Sequence, residues 1–363
     1  MLVRVQRASG EEIRSLRESV RGLVQGAGRD APASGVGPAE EALWRRACEL
    51  GLAGLQAPER CGGAGLGLTA AAAVLEELGR TLSGLPFLPA LLATNALLLA
   101  ATPEQQDRLL AAIAAGDVRP AVALDGTLEA AADGTLTGAA GHVLDGLAAE
   151  LLLVPARDPD GTTRLHAVAG DAPGLAREPL PTLDRTRPQA RLTLAATPAA
   201  PLGRSTAFPL ERLRDIAAVA LAAEQVGAAE RVLERSLEHA RTRRQFGRPI
   251  GSFQAIKHLC ARVAIEVRYA RVAASAAARA ADGEDDAFGP LAALAGAQCS
   301  EALLFAARAN IQLHGGIGFT WEHDAHLYYR RAIASAHLVR SPSAQRERLV
   351  GLLETGLPGV FAG

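Results

Sequence analysis

Aromatic residues are scarce in this chain, at 4% of 363 positions, while alanine and leucine abound. That balance leaves little room for large ring-filled cores and suggests closely packed helices. Cysteine is scarce too. Cys48, Cys61, Cys260 and Cys299 lie far apart and show neither a C-x-x-C pair nor Cys/His ligand spacing, which argues against a zinc module or a disulfide framework. Buried free thiols in a reducing compartment are the expected state. There is no excess of one charge: 38 Lys and Arg face 39 Asp and Glu, for a net charge of −1. A broad electrostatic footprint for nucleic acid or anionic membrane is therefore missing. Long hydrophobic runs are missing as well. The most apolar stretch, Leu88 to Ala101, is too short to span a bilayer and carries Thr94 and Asn95. The opening MLVRVQRASGEEIRSLRESVRG has no apolar centre of the kind a signal peptide carries. A soluble, cytoplasmic protein is the expectation, and no internal repeat or low-complexity tail alters it.

What the chain does have is a change of periodicity, twice. Residues 1–118 read as helical, with apolar residues at helical spacing in Glu40 to Leu52 and Leu68 to Leu82, and with breaks at Gly26 to Gly37 and Pro58 to Gly67. Residues 119–205 break into short apolar runs divided by Asp133-Gly134, Asp145-Gly146 and Asp160-Gly161, each a hairpin signal. Residues 206–363 return to helix. One apolar stripe (Ile216, Val219, Ala223, Val226, Ala229, Val232) runs to Gln245, a second helix covers Ala255 to about Ala281, a third Pro290 to about Leu313, and a fourth His323 to Leu338. The fold class is α+β: an N-terminal helical domain, a small β domain, and a C-terminal four-helix bundle.

Two segments of the last domain carry chemistry. RTRRQFGRPIGSFQAIKH, from Arg241 to His258, gathers Arg241, Arg243, Arg244 and Arg248 about Phe246. Gly247 suits a left-handed helix terminator, Pro249 blocks continuation, and Ser252 suits the N-cap of the next helix. Such a corner offers forked donors for a phosphate or pyrophosphate beside an apolar face for an adenine. An arginine-rich, solvated helix end complementing the helix dipole is the plainer alternative. The second segment, NIQLHGGIGFTWEHD, ends a helix on Gly315-Gly316.

Taken together and in this order, the two segments resemble the C-terminal domain of the acyl-CoA dehydrogenase family of flavoproteins. There an R-x-[QT]-F-G and a Q-x-x-G-G segment hold the adenine and pyrophosphate half of FAD across a subunit interface. The resemblance implies that Arg243, Gln245, Phe246 and Gly247, with Gln312, Gly315 and Gly316, contact FAD. Further likenesses are the loop Pro58, Glu59, Gly62, Gly63, Gly65, which in the family lies near the acyl pocket, and the helix bearing Glu76, Glu77, Leu78 and Gly79. TLDRTRP at Thr182 to Pro188 resembles the M-D-x-T-R-P segment, and Leu202-Gly203 the L-G before the final domain. The implied partners are an acyl-CoA or acyl-carrier thioester, an electron-accepting flavoprotein, and either self or another chain of the same family.

The chain departs from the family where the redox chemistry belongs. The T-E-P-x-x-G-S-D segment expected around Val122 to Asp133 is replaced by VALDGTLEAAAD, and a W-I-[TS]-N element by HVLDG at His142 to Gly146. The β domain is also short. The reaction removes the proton α to a thioester, normally with a glutamate. One family position for that base falls here at Val339 or Arg340, the other at Ala217, and none of these abstracts a proton at neutral pH. Asp215, Glu224 and Glu322 are neighbouring carboxylates for which surface or capping roles are the better reading. His314 suits either a cofactor contact or a bond to backbone. His323 and His326 invite a metal reading, but no third ligand is fixed by the sequence, and packing of this helix on another subunit reads better. Arg330 and Arg331 suit ion pairs or helix carbonyls.

The sequence thus implies a subunit of a heteromeric FAD-dependent acyl-CoA dehydrogenase whose reactive ring and base belong to the other chain. A self-sufficient homo-oligomeric flavoenzyme with a different base, and a flavin-free scaffold, are the alternatives.

Overall fold

Helical spacing at either end of the chain and turn-punctuated runs between them become helices and strands in that order. The structure, a computed structural model, describes residues 6–25, 38–203 and 206–356. The break anticipated at Gly26 to Gly37 lies outside the described residues. Helices α1 (Gly10–Gln25), α2 (Pro38–Glu49), α3 (Leu68–Thr81), α4 (Phe87–Ala100) and α5 (Pro103–Ala115) come first. Strands β1 (Pro120–Val122), β2 (Thr127–Ala130), β3 (Thr135–Leu144), β4 (Leu151–Arg157), β5 (Thr163–Ala169), β6 (Leu175–Pro179), β7 (Gln189–Pro198) and β8 (Ala200–Pro201) follow. Next come α6 (Leu210–Thr242), the two-residue strands β9 (Arg244–Gln245) and β10 (Arg248–Pro249), then α7 (Gln254–Asp282), α8 (Phe288–His314), α9 (Ala325–Ser335) and α10 (Pro342–Gly356). This is the α+β architecture the sequence implies. Two compact units divide it: Met1–Ala71 with Gly84–Ala217, and Ala72–Ser83 with Ala218–Gly363.

In the first unit, local chemistry sets the helix ends. Thr102 caps α5 through its side chain, Gln105 closes a capping box, Pro103 stands in the first turn, and Gly116 ends the helix in the left-handed region. The apolar stretch noted at Leu88 to Ala101 is α4, apolar on every side and accordingly buried. The sheet runs β6-β7-β3-β2-β4-β5-β8, with β1 pairing parallel to β4. Its core is aliphatic, built on Leu128, Leu136, Val143, Leu152, Val168 and Leu192.

Two of the three Asp-Gly signals are hairpins: Asp133-Gly134 joins β2 to β3, and Asp160-Gly161 joins β4 to β5. Asp145-Gly146 is not. Here β3 pairs with β7, its end held by Leu144 against Gln189 and by the Asp145 N–H donating to the Pro188 carbonyl at 3.2 Å. The chain therefore turns away rather than back, and β4 pairs with β1, β2 and β5 instead.

In the second unit α6 to α10 pack with the Ala72–Ser83 stretch that carries most of α3, so the expected four-helix bundle gains two further members. The helix α10 was not read from the sequence, although its start signal is present. Pro342 occupies the first turn and the Ser341 hydroxyl accepts the Ala344 N–H at 3.2 Å. The segment Phe288–Phe319, chiefly α8, is long and apolar enough to cross a membrane by length and composition, but most of it is buried within this unit.

Glycine decides how closely α3 and α6 cross. A Cβ on Gly227 would sit 1.8 Å from the Glu76 carbonyl oxygen, and one on Gly79 would sit 2.0 Å from the Glu224 carbonyl oxygen. Both obstacles are backbone, so neither helix can yield by a rotamer change. Gly227→Ala should destabilise the chain by about 1–3 kcal/mol through overpacking. A thermal melt with an unshifted midpoint would show that the two helices are not held at this distance.

Candidate functional site

Helix α6 ends at Thr242, three residues earlier than its apolar stripe implies, because Arg244 to Pro249 fold into a miniature hairpin. Gln245 pairs with Arg248, and the two residues between them, Phe246 and Gly247, have φ of 51° and 75°. Both central residues at positive φ is the type I′ pattern. Gly247 is therefore a hairpin residue, not the helix terminator anticipated from the sequence. Ser252 is likewise no N-cap. It lies in a 3₁₀ turn, and Phe253 caps α7 without a side-chain bond.

The arginines divide their tasks. Arg244 folds back so that its Nη1 donates to the Gly247 carbonyl at 3.2 Å. Arg248 places its guanidinium 4.2 Å from the centre of the Phe253 ring, which meets Phe246 edge-on at 6.1 Å. Arg241 and Arg243 are exposed, and the Arg243 guanidinium makes no hydrogen bond or ion pair among the described residues. Phe246 is 91% exposed. A bulky residue at positive φ costs on the order of 1–3 kcal/mol, and its ring recovers almost nothing by burial in this chain.

The second segment lies at the C-terminal end of α8. Gln312 is exposed on its last turn, and Gly315 ends the helix at φ 67°. A Cβ on Gly316 would meet nothing within 4 Å, and its φ is not positive. Nothing in the chain's own packing requires a glycine there. By contrast a Cβ on Gly63, in the Pro58 to Gly65 loop, would sit 2.1 Å from the Ala57 carbonyl oxygen, so that glycine is demanded by local packing.

Histidines join the two segments. The ring of His239, on the last turn of α6, stacks on His314 at 4.1 Å, and His314 lies 4.4 Å from His323. The Arg243 N–H donates to the His239 carbonyl at 2.9 Å, continuing the helical ladder, so the hairpin begins one turn beyond His239. His314 donates from Nδ1 to the Asn310 carbonyl at 2.8 Å, the backbone alternative weighed from the sequence. His326 meets Trp321 edge-on at 4.6 Å, and Arg330 lies 5.1 Å from the Trp321 ring. One face of α9 packs inside the chain. Tyr328 donates its hydroxyl to the Arg80 carbonyl at 2.6 Å, and Arg331 is buried in an ion pair with Glu224.

The proposed base positions hold Ala217, buried, and Val339 and Arg340, half-buried. Of the neighbouring carboxylates, Glu224 is bound to Arg331 and Glu322 is exposed. Asp215 is buried within the early part of α6. Segments where the family binds the reactive ring are sewn to this chain itself. Arg214 donates to the Leu124 carbonyl and to Asp125, both at 2.8 Å, tying the β1–β2 connection. His142 meets Gln189 at 2.9 Å. Burial pushes the Asp145 carboxyl up to about 7, against the pull of Arg119 and Arg187.

Comparison with known proteins agrees with this layout. Residues 10–117 match the acyl-CoA dehydrogenase N-terminal domain, and residues 211–337 the acyl-CoA dehydrogenase C-terminal domain. Acyl-CoA dehydrogenase IpdE2 of Mycobacterium tuberculosis is 41% identical, the match covering 93% of this chain and 96% of that protein. The chain belongs to the acyl-CoA dehydrogenase family. It is thus a member of a family of FAD-dependent oxidoreductases. Among solved structures, a Tcur3481-Tcur3483 steroid acyl-CoA dehydrogenase variant superposes with a TM-score of 0.87 at 35% identity, covering 96% of this chain and 99% of that one. The ChsE4-ChsE5 complex from M. tuberculosis gives 0.86 at 29% identity, covering 96% and 98%.

The exposed ring at positive φ generates a stability prediction. Phe246→Asn, which tolerates the left-handed region, should leave the chain as stable or raise its stability by up to about 1 kcal/mol. A urea melt showing a clear loss would mean that the ring is packed in this chain after all.

Proposed function

We propose that this acyl-CoA dehydrogenase family chain is the partner subunit of a heteromeric enzyme that desaturates an acyl thioester. In this reading it grips the adenine and pyrophosphate end of an FAD whose ring lies against the other chain. The observation that carries the proposal is a contrast within one molecule. Arg243, Phe246 and Gly316 are held out without an intrachain reason, whereas the positions for the base are filled by Ala217, Val339 and Arg340.

When bound, FAD supplies the acceptor for the hydride leaving the β carbon of the thioester. This chain's residues would do the holding. Arg243 places a forked cation toward a pyrophosphate, Phe246 offers a flat apolar face to the adenine, Gln245 and Gln312 supply amides, and Gly247, Gly315 and Gly316 let the phosphates come close to main chain. The residues present fit that half of the cofactor. The free guanidinium is charged at all working pH values, and the space above Gly316 is open. The α proton would be taken by a carboxylate of the other subunit.

Two solved relatives bear names of two-component assemblies, and one is titled a steroid dehydrogenase. That supports a heteromer, and it makes a steroid-derived acyl-CoA the first substrate class to assay. An electron-accepting flavoprotein would reoxidise the enzyme. A cytoplasmic setting fits the free thiols and the burial of α8.

The test is to purify the chain alone and together with a second dehydrogenase-like chain, measuring FAD per chain and ferricenium-coupled turnover. The chain alone should be colourless and inactive, and the complex yellow and active. In the complex, Arg243→Ala should weaken FAD retention roughly tenfold or more, the loss of a charge-assisted bond. Gly316→Ala should weaken it too while leaving the melting temperature unchanged. A yellow, active single chain would defeat the partner reading, and full flavin content in both variants would defeat the site.

A further inference from the structure

The three stacked imidazoles sit at the junction of the two segments just assigned to the cofactor, and that assignment gives them no task. His239 belongs to the last turn of α6, His314 immediately precedes Gly315, and His323 stands two residues before α9 begins. Each ring is anchored in a definite way. His314 donates from Nδ1 to Asn310, and His323 accepts the Ala325 N–H, the first of α9, on Nδ1 at 3.1 Å. The Leu313 main chain is a hydrogen-bond partner of the His239 ring. Around them, Ser236 donates to the Asn310 side chain at 2.9 Å, and Arg235 is paired with Asp324. The junction is thus a ring stack flanked by polar bonds, where aliphatic side chains would make a simpler joint.

We propose that the His239–His314–His323 stack is a positioning device which, while its rings are neutral, holds the Arg243 hairpin and the Gly315-Gly316 turn in one arrangement for FAD. It rests on the reading of these segments as the cofactor's adenine and pyrophosphate site. A proton on two adjacent rings puts like charges within 4.1–4.4 Å, in surroundings drier than water, where repulsion is strong. The groups facing the stack reinforce this on balance. Arg243 faces His239, and Arg235 and His326 face His323, with Asp324 the one opposing carboxylate.

Burial first, then the neighbouring His314 ring, holds both His239 and His323 below the ordinary imidazole value of 6.5. The sign follows from linkage. A group whose folded pKa is depressed stabilises the ordered junction fully above about pH 6.5, and that stability is lost as the pH falls toward the depressed values. Loss of order there loosens both segments together.

The measurement is FAD dissociation from the intact heteromeric complex between pH 7.5 and 5.5, with His314→Phe and Arg243→Ala alongside. Phenylalanine keeps a flat ring in the middle of the stack and cannot take a proton. Wild-type complex should lose affinity by roughly tenfold over this range. His314→Phe should change by less than about threefold over the same range, and Arg243→Ala should bind weakly throughout while keeping the wild-type slope. Should His314→Phe fail to assemble, His239→Gln, which keeps a donor for Leu313, serves the same comparison. Equal slopes in wild type and the ring variants would overturn the proposal while leaving the cofactor site intact. Tighter binding at low pH would overturn it by making the imidazoles direct anion ligands. A complex without FAD at any pH would overturn both this proposal and the site on which it depends.

Discussion

A main-chain oxygen sets the geometry of the second unit. The Glu76 carbonyl of α3 stands where any side chain on residue 227 would begin, and the Glu224 carbonyl of α6 stands in the same relation to residue 79. Reciprocal exclusion of this kind brings two helices nearer than ordinary side-chain packing allows, with consequences for the polar groups beside it. Glu76 reaches Arg271 at 3.1 Å, Arg80 reaches Glu234 at 2.7 Å, and the Glu224–Arg331 pair lies buried next to the crossing. Removing one partner of a buried pair strands the other charge, which costs more than the intact pair contributes. Glu224 is in this sense a structural anion. Its commitment to Arg331 is a physical reason to discount it as a proton acceptor, apart from any question of reach.

The same bundle delivers α6 and α8 so that their C-terminal ends meet. A helix C-terminus concentrates unsatisfied carbonyls and the negative end of the dipole, and arginines and histidines are favourable there without any ligand. That accounts for Arg241 and for the His314 bond to Asn310. It does not account for Phe246, which gains nothing from the dipole and sits in a conformation that penalises it. Charge alone is thus an ambiguous sign at this site, and the strained ring is the more informative residue.

Periodicity made most of the architecture legible. The spans of α2, α3 and α6 to α9 follow their apolar spacing to within a few residues, since burial of one face decides where a helix can lie. The misreadings share a cause. Gly247 suits a helix terminator and Asp145-Gly146 a hairpin by local pattern, but glycine permits several local structures, and pairing chooses among them. For Asp145 the choice is made by β7, more than forty positions along the chain; for Gly247 it is made by the Gln245–Arg248 pairing. The start of α10, by contrast, is spelled locally by Ser341 and Pro342. The ring stack was invisible for another reason: His239, His314 and His323 lie on different elements, and no local pattern links them.

The deeper asymmetry is between what the chain uses internally and what it leaves unused. In the sheet domain, groups at the family's ring-binding segments have intrachain occupations: Asp125 holds Arg214, His142 holds Gln189, and Asp145 is sealed under Arg119 and Arg187. A ligand arriving there would have to displace the Arg214–Asp125 and His142–Gln189 contacts. At the helix ends the situation is reversed. Among the described residues the Arg243 guanidinium has no partner to give up, the Phe246 ring is 91% exposed, and a Cβ on Gly316 would meet nothing within 4 Å. Binding at that edge breaks nothing. A chain that holds Arg243 and the Phe246 ring exposed at its helix ends is physically suited to complete a site that begins on another chain.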